Sequence, residues 1–169
     1  GGTDLRVDTE YPMNLVGLKH AIIYLHGGGW TSGYKYEVQN VWYDLELIRR
    51  GFVIASINYR LAPQYPFPAM LEDAKCAVRY LRAHAAQFQI DPDHIGVFGD
   101  SAGGYLAAML GVTGAGDGFG RQGDWMDQDA RVNAVAILSA PTDLSRLDVT
   151  GHPTILRDVF GATSLSDPI

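Results

Sequence analysis

Gly99-Asp100-Ser101-Ala102-Gly103-Gly104 stands between two apolar runs. His94-Ile95-Gly96-Val97-Phe98 before it predicts a buried strand, and Tyr105-Leu106-Ala107-Ala108-Met109-Leu110 after it predicts a helix. A serine at the corner of a strand–turn–helix, flanked by small residues, is the G-x-S-x-G nucleophile elbow. The glycines are required because the turn leaves no room for side chains and strains the backbone at Ser101. The flanking strand and helix are the context that distinguishes this motif from a glycine-rich turn holding a serine by accident.

A second glycine cluster lies upstream. Ala21-Ile22-Ile23-Tyr24-Leu25 predicts a strand buried on both faces, and His26-Gly27-Gly28-Gly29-Trp30 follows it directly. Glycines at a strand end let backbone N–H groups turn outward and meet an oxyanion. The strand carries neither G-K-[ST] nor G-x-G-x-x-G, which disfavours a phosphate loop. Trp30 reads equally as an acyl-pocket wall or a structural aromatic. Apolar spacing from Glu37 to Arg50 predicts a helix ended by Gly51, and Phe52 to Ile57 predicts the next strand.

Leu5, Val7 and Thr9 alternate as a short edge strand would. Asn58 to Ala69 is a loop punctuated by Pro63, Pro66 and Pro68, in which Arg60 is expected to make a structural ion pair or to bond loop carbonyls. Met70, Leu71, Ala74, Ala77, Val78, Leu81, Ala85 and Phe88 predict one amphipathic helix, with Cys76 packed and His84 solvated on the surface. Gly114 to Gly123 predicts a mobile surface loop. Asp117, Asp124, Asp127 and Asp129 do not have calcium-loop spacing. Ala134 to Leu138 predicts a fourth buried strand, and Thr154 to Phe160 a short helix. Strands alternating with helices give an α/β fold: a doubly wound, mostly parallel sheet with helices on both faces. Both glycine motifs then sit at C-terminal strand ends, where such sheets carry their sites.

The chain has 169 residues and a net charge of −6, so no basic face suits nucleic acid. No apolar run reaches membrane-spanning length. The single cysteine excludes an intrachain disulfide. Gly1 to Arg6 has no basic start followed by an apolar run, which favours the cytoplasm, although a mature secreted chain would read the same.

His26 to Trp30, Tyr59-Arg60-Leu61-Ala62-Pro63 with Phe67-Pro68-Ala69 and Asp73, and Gly99 to Gly104 together resemble the hormone-sensitive-lipase-like carboxylesterases of the α/β-hydrolase fold. The wording at Trp30 and at Pro141-Thr142-Asp143-Leu144 is also similar to bacterial acetylxylan- and feruloyl-esterase-type relatives. The resemblance covers about residues 20–145. It implies hydrolysis of short-chain carboxylic esters, small-molecule substrates, through an acyl-enzyme on Ser101. The oxyanion would be held by Gly28, Gly29 and Ala102, with no cofactor and no metal required.

That family orders its triad as serine, acid, histidine. After Ser101 the only histidine is His152, which Asp143 or Asp148 precedes in the right order. Thr150-Gly151-His152-Pro153 reads as a surface turn, and no strand separates it from Asp143, so Asp143 and His152 are weak candidates for acid and base. His20, His26 and His94 read as structural. Residues 1–169 are therefore expected to be a single, incomplete α/β-hydrolase domain, inactive or weak by itself. Its bare sheet edge is expected to pair with a second copy as a homo-oligomer or strand-swapped dimer. The competing reading is a non-catalytic small-molecule-binding protein on the same fold.

Overall fold

The structure, a computed structural model, describes residues 6–13, 16–36 and 41–166. Leu5, Asn14 and the predicted helix start at 37–40 lie outside the described residues. Five strands, β1 (Val7–Glu10), β2 (Lys19–Leu25), β3 (Val53–Ile57), β4 (Ile90–Asp100) and β5 (Ala134–Leu138), form one sheet in the order β1-β3-β2-β4-β5. β1 runs antiparallel to β3, with Val7 opposite Ile57, and the other neighbours are parallel. In the central pair Leu25 lies opposite Gly99. The ends of the two glycine-bearing strands are thereby side by side.

The helices are α1 (Val41–Arg49), α2 (Ala69–Ala83), α3 (Ala85–Phe88), α4 (Ala102–Val112) and α5 (Ile155–Phe160). One sheet face, carrying Ala21, Ile23, Leu25, Ala55, Ile57, Ile95 and Val97, packs with α2 and α4 into the main core. On the opposite face the Phe98 ring lies 5.6 Å from that of Tyr24, tilted, and 5.6 Å from that of Tyr43 on α1, edge-on. Alternation along β4 thus feeds both layers, as an interior strand of a two-sided sheet requires.

Three expectations need correction. The apolar stripe from Met70 to Phe88 is not one helix: the backbone breaks at His84, which caps α2, and Gln89 closes α3 in the left-handed region. His84 is not simply solvated, since its ring packs on Tyr80, Phe88 and Trp125, and its Nδ1 lies 2.8 Å from the Tyr80 carbonyl. β5 forms as predicted but is exposed along its length, with Val135 at 41% and Ile137 at 46%. It ends the described sheet, so only β4 and α4 cover it.

The predicted loop Gly114 to Gly123 lies at the surface, and together with the residues that follow it, to Arg131, it is tied to α2 by side chains. Buried Arg79 on α2 donates to the carbonyls of Gly120, Gln122 and Asp124. Glu72, two helical turns earlier on the same side, accepts from the N–H groups of Gly120 and Gln122 at 2.8 and 3.0 Å. Lys75 donates to Thr113, and Arg82 reaches Asp129 and Arg131. Charged side chains on a helix here take the place of the backbone partners that an irregular segment lacks.

Candidate active site

The elbow is built as a close packing of backbones. Ser101 has φ 52° and ψ −118°, a region that side-chain-bearing residues occupy only when their surroundings impose it. Its N–H donates to the Leu138 carbonyl at 2.8 Å, which ties the turn to the end of β5. A methyl at Gly99 would overlap the Gly103 carbonyl, and one at Gly103 would overlap the carbonyls of Leu25 and His26. A Cβ at Gly104 would sit 2.9 Å from that of Ala140. The small residues around Ser101 therefore let α4 start directly against β2.

The upstream loop is placed by the same contact. A Cβ on Gly27 would lie 3.4 Å from that of Ser101, so the Gly27 backbone borders the serine. Gly28 has φ 110°, and its carbonyl accepts from the N–H groups of Thr31 and Ser32. Among the described residues the N–H groups of Gly28 and Gly29 donate to no backbone carbonyl and to no side chain. Ala102 is the first residue of α4, so the helix itself does not use its N–H. Ser101 is half-buried, and its hydroxyl has no hydrogen-bond partner among the described residues.

A buried scaffold holds this loop. His26 stacks on Tyr59 at 4.2 Å, and its Nδ1 lies 2.7 Å from the Gly27 carbonyl. The Tyr59 hydroxyl donates to the His26 carbonyl at 2.7 Å. Trp30, 2% exposed, packs edge-on against Tyr105 and Phe160, which makes it a structural aromatic. Its carbonyl accepts from Ala62. Arg60 makes the expected ion pair: Nη2 lies 2.8 Å from Asp73, and its backbone N–H also donates to that carboxylate. The hydrogen bonds to Asp73 raise the guanidinium pKa further. Tyr59 belongs to the motif quoted for the family resemblance, but its support of the glycine loop through His26 is visible only in the structure.

The two weak acid/base candidates are not brought to the serine by any hydrogen bond. Asp143 accepts from the Ser145 N–H and hydroxyl, capping a single 3-10 turn at Leu144–Arg146. His152 is exposed, with its backbone in the turn before α5 and its ring without a partner among the described residues.

Comparison with known proteins gives a consistent result. The family model BD-FAE matches residues 7–165. The carboxylesterase NlhH of Mycobacterium tuberculosis is 34% identical over 110 residues, which cover 65% of this chain and 34% of that protein. The probable carboxylic ester hydrolase LipM of the same organism is 31% identical over 144 residues, 85% of this chain and 33% of the relative. A Thermogutta terrifontis esterase, solved with butyrate bound, superposes with a TM-score of 0.77 at 25% identity, covering 96% of this chain and 62% of that one. The same esterase has been solved phosphonylated by sarin. The chain spans about a third of the length of the curated relatives it matches. The resemblance to hormone-sensitive-lipase-like carboxylesterases stands, and so does the α/β-hydrolase architecture. Among the described residues no helix is long and apolar enough to cross a membrane.

Proposed function

The chain belongs to the BD-FAE family, and from that premise we propose that it carries the nucleophile half of a carboxylic ester hydrolase acting on short-chain acyl esters. The observation that carries the proposal is Ser101 at a strained strand–turn–helix corner beside the Gly27 backbone. In this reading Ser101 Oγ attacks the ester carbonyl, and the tetrahedral oxyanion takes hydrogen bonds from the N–H groups of Gly28, Gly29 and Ala102. Each such donor typically lowers the barrier by about 3–4 kcal/mol. Collapse expels the alcohol and leaves an acyl-serine, which water hydrolyses. The chain is read as one α/β-hydrolase domain, and among the described residues no acid or base is hydrogen-bonded to Ser101. The exposed β5 edge favours a homo-oligomer or strand-swapped dimer.

The free Ser101 hydroxyl favours a second reading, a small-molecule-binding protein on the same fold, because a serine without a base is a poor nucleophile. Hydrolysis of p-nitrophenyl acetate separates the two. The esterase reading expects a slow rate that disappears in Ser101→Ala and is unchanged in His152→Ala. A rate indifferent to Ser101→Ala would remove it. Loss in His152→Ala would instead install Asp143 and His152 as the acid and base.

A further inference from the structure

The opposite end of the sheet carries a second cluster of chemically capable side chains. His20 on β2 and His94 on β4 flank the paired residues Ala21 and Ile95, and their rings stack at 4.5 Å with an interplanar angle of 15°. The β2–β4 register shifts just there, so that residues 91–94 loop out beside His20. In that loop Asp91 Oδ1 accepts from the Asp93 N–H at 2.9 Å, which fixes the carboxylate. The other oxygen, Oδ2, lies 2.8 Å from His94 Nδ1.

We propose that His20, Asp91 and His94 form a binding site for a divalent transition-metal ion of the zinc class. One nitrogen from each ring and one carboxylate oxygen all lie within 4.8 Å of one another. Tetrahedral zinc with bonds of about 2.0–2.1 Å needs its ligand atoms roughly 3.4 Å apart. The Asp91 Oδ2–His94 Nδ1 pair, at 2.8 Å, would open slightly and His20 would swing in, movements that the exposure of both histidine side chains leaves room for. Two imidazoles and one carboxylate suit zinc better than calcium or magnesium, which prefer oxygen-only shells. A water completes the fourth position. Asp93 adds a second carboxylate in the same loop, whereas Lys19 and Arg50 line the hollow on the far side of His20.

The remaining described histidines offer nothing comparable. His26 is buried with Nδ1 against the Gly27 carbonyl, His84 is engaged with Tyr80, and His152 stands without a partner ligand. From residue 94 to residue 100 β4 extends about 20 Å, so the metal would sit far from Ser101 and take no part in the ester chemistry. Its effect is to pin β2 to β4 where their register shifts, and it stabilises the fold by mass action.

The test is calorimetric titration of the metal-free chain with ZnCl2. One saturable equivalent is expected, weakened at least about tenfold in His20→Ala and in His94→Ala and unchanged in His152→Ala, where tenfold corresponds to about 1.4 kcal/mol. X-ray absorption at the zinc edge on the unmutated chain should count two imidazole ligands, a readout that needs no variant. Absence of saturable binding, binding that survives both histidine variants, or fewer than two imidazoles would overturn the proposal.

Discussion

At Gly103 two elementary effects oppose each other. Alanine is the better helix former by about 1 kcal/mol, so propensity predicts that Gly103→Ala stabilises α4. The added methyl, however, would overlap the backbone carbonyls of Leu25 and His26, neither of which can move without disturbing β2. Forced overpacking costs about 1–3 kcal/mol and more where backbone is the obstacle, so the clash wins. Gly103→Ala is expected to lower the unfolding free energy by about 2 kcal/mol net of the propensity gain, and with it the denaturant midpoint; an unchanged or raised midpoint would contradict the packing described. A second residue gives a pH dependence. Asp44 on α1 is buried, with Oδ1 lacking a hydrogen-bond partner, and burial followed by the nearby charge of Glu10 pushes its pKa up to about 6. Because the folded state binds the proton more tightly than the unfolded chain, this group's contribution to stability falls as pH rises from about 4 to about 6 and stays lost above. Asp44→Asn removes that loss. The variant should gain stability relative to the parent between pH 4 and pH 7, and a difference that stays flat across that range would count against the assignment.

At the scale of elements, α2 does more than cover the sheet. Its apolar side was legible from residues 70–81, but its other side reads in sequence as an ordinary solvated face. Glu72, Lys75 and Arg79 are nevertheless buried, because the segment from Thr113 to Asp129 folds over them and supplies backbone partners. Nothing in a Gly/Asp-rich stretch announces that distant charged residues will satisfy its backbone groups, so these ties were not legible in the sequence. The two glycine motifs were legible because their constraint is local: tight turns at strand ends demand glycine wherever they occur. β5 was legible as a strand but not as an exposed one, since an apolar run does not say what will cover it. Arg79→Met tests the clamp. Losing even one charge-assisted bond, worth about 1.5–3 kcal/mol, should open the segment at least tenfold more often. Trypsin should then cut after Arg121 correspondingly faster, and equal cleavage in variant and parent would refute the clamp.

At the scale of the molecule, the described sheet ends on one side in β1 and on the other in β5. β1 ends it as a short antiparallel strand, the usual way an edge is blunted. β5 ends it as a parallel strand with Val135, Ile137 and Leu138 exposed. Such an edge recruits another strand, so the isolated chain should run as a dimer or larger species by light scattering, and Ile137→Lys should shift it toward monomer. A monomeric parent chain would argue that the edge is already protected. Both glycine motifs converge on one point at the C-terminal ends of β2 and β4, and the account stands or falls there. Its most direct test is intact-mass and peptide-mapping analysis after incubation with a fluorophosphonate. Without a triad histidine, an oxyanion site still retains about 10³–10⁴-fold reactivity over water. The account predicts slow formation of a single adduct on Ser101 that is absent from Ser101→Ala. No adduct, or one that persists in Ser101→Ala, would contradict it.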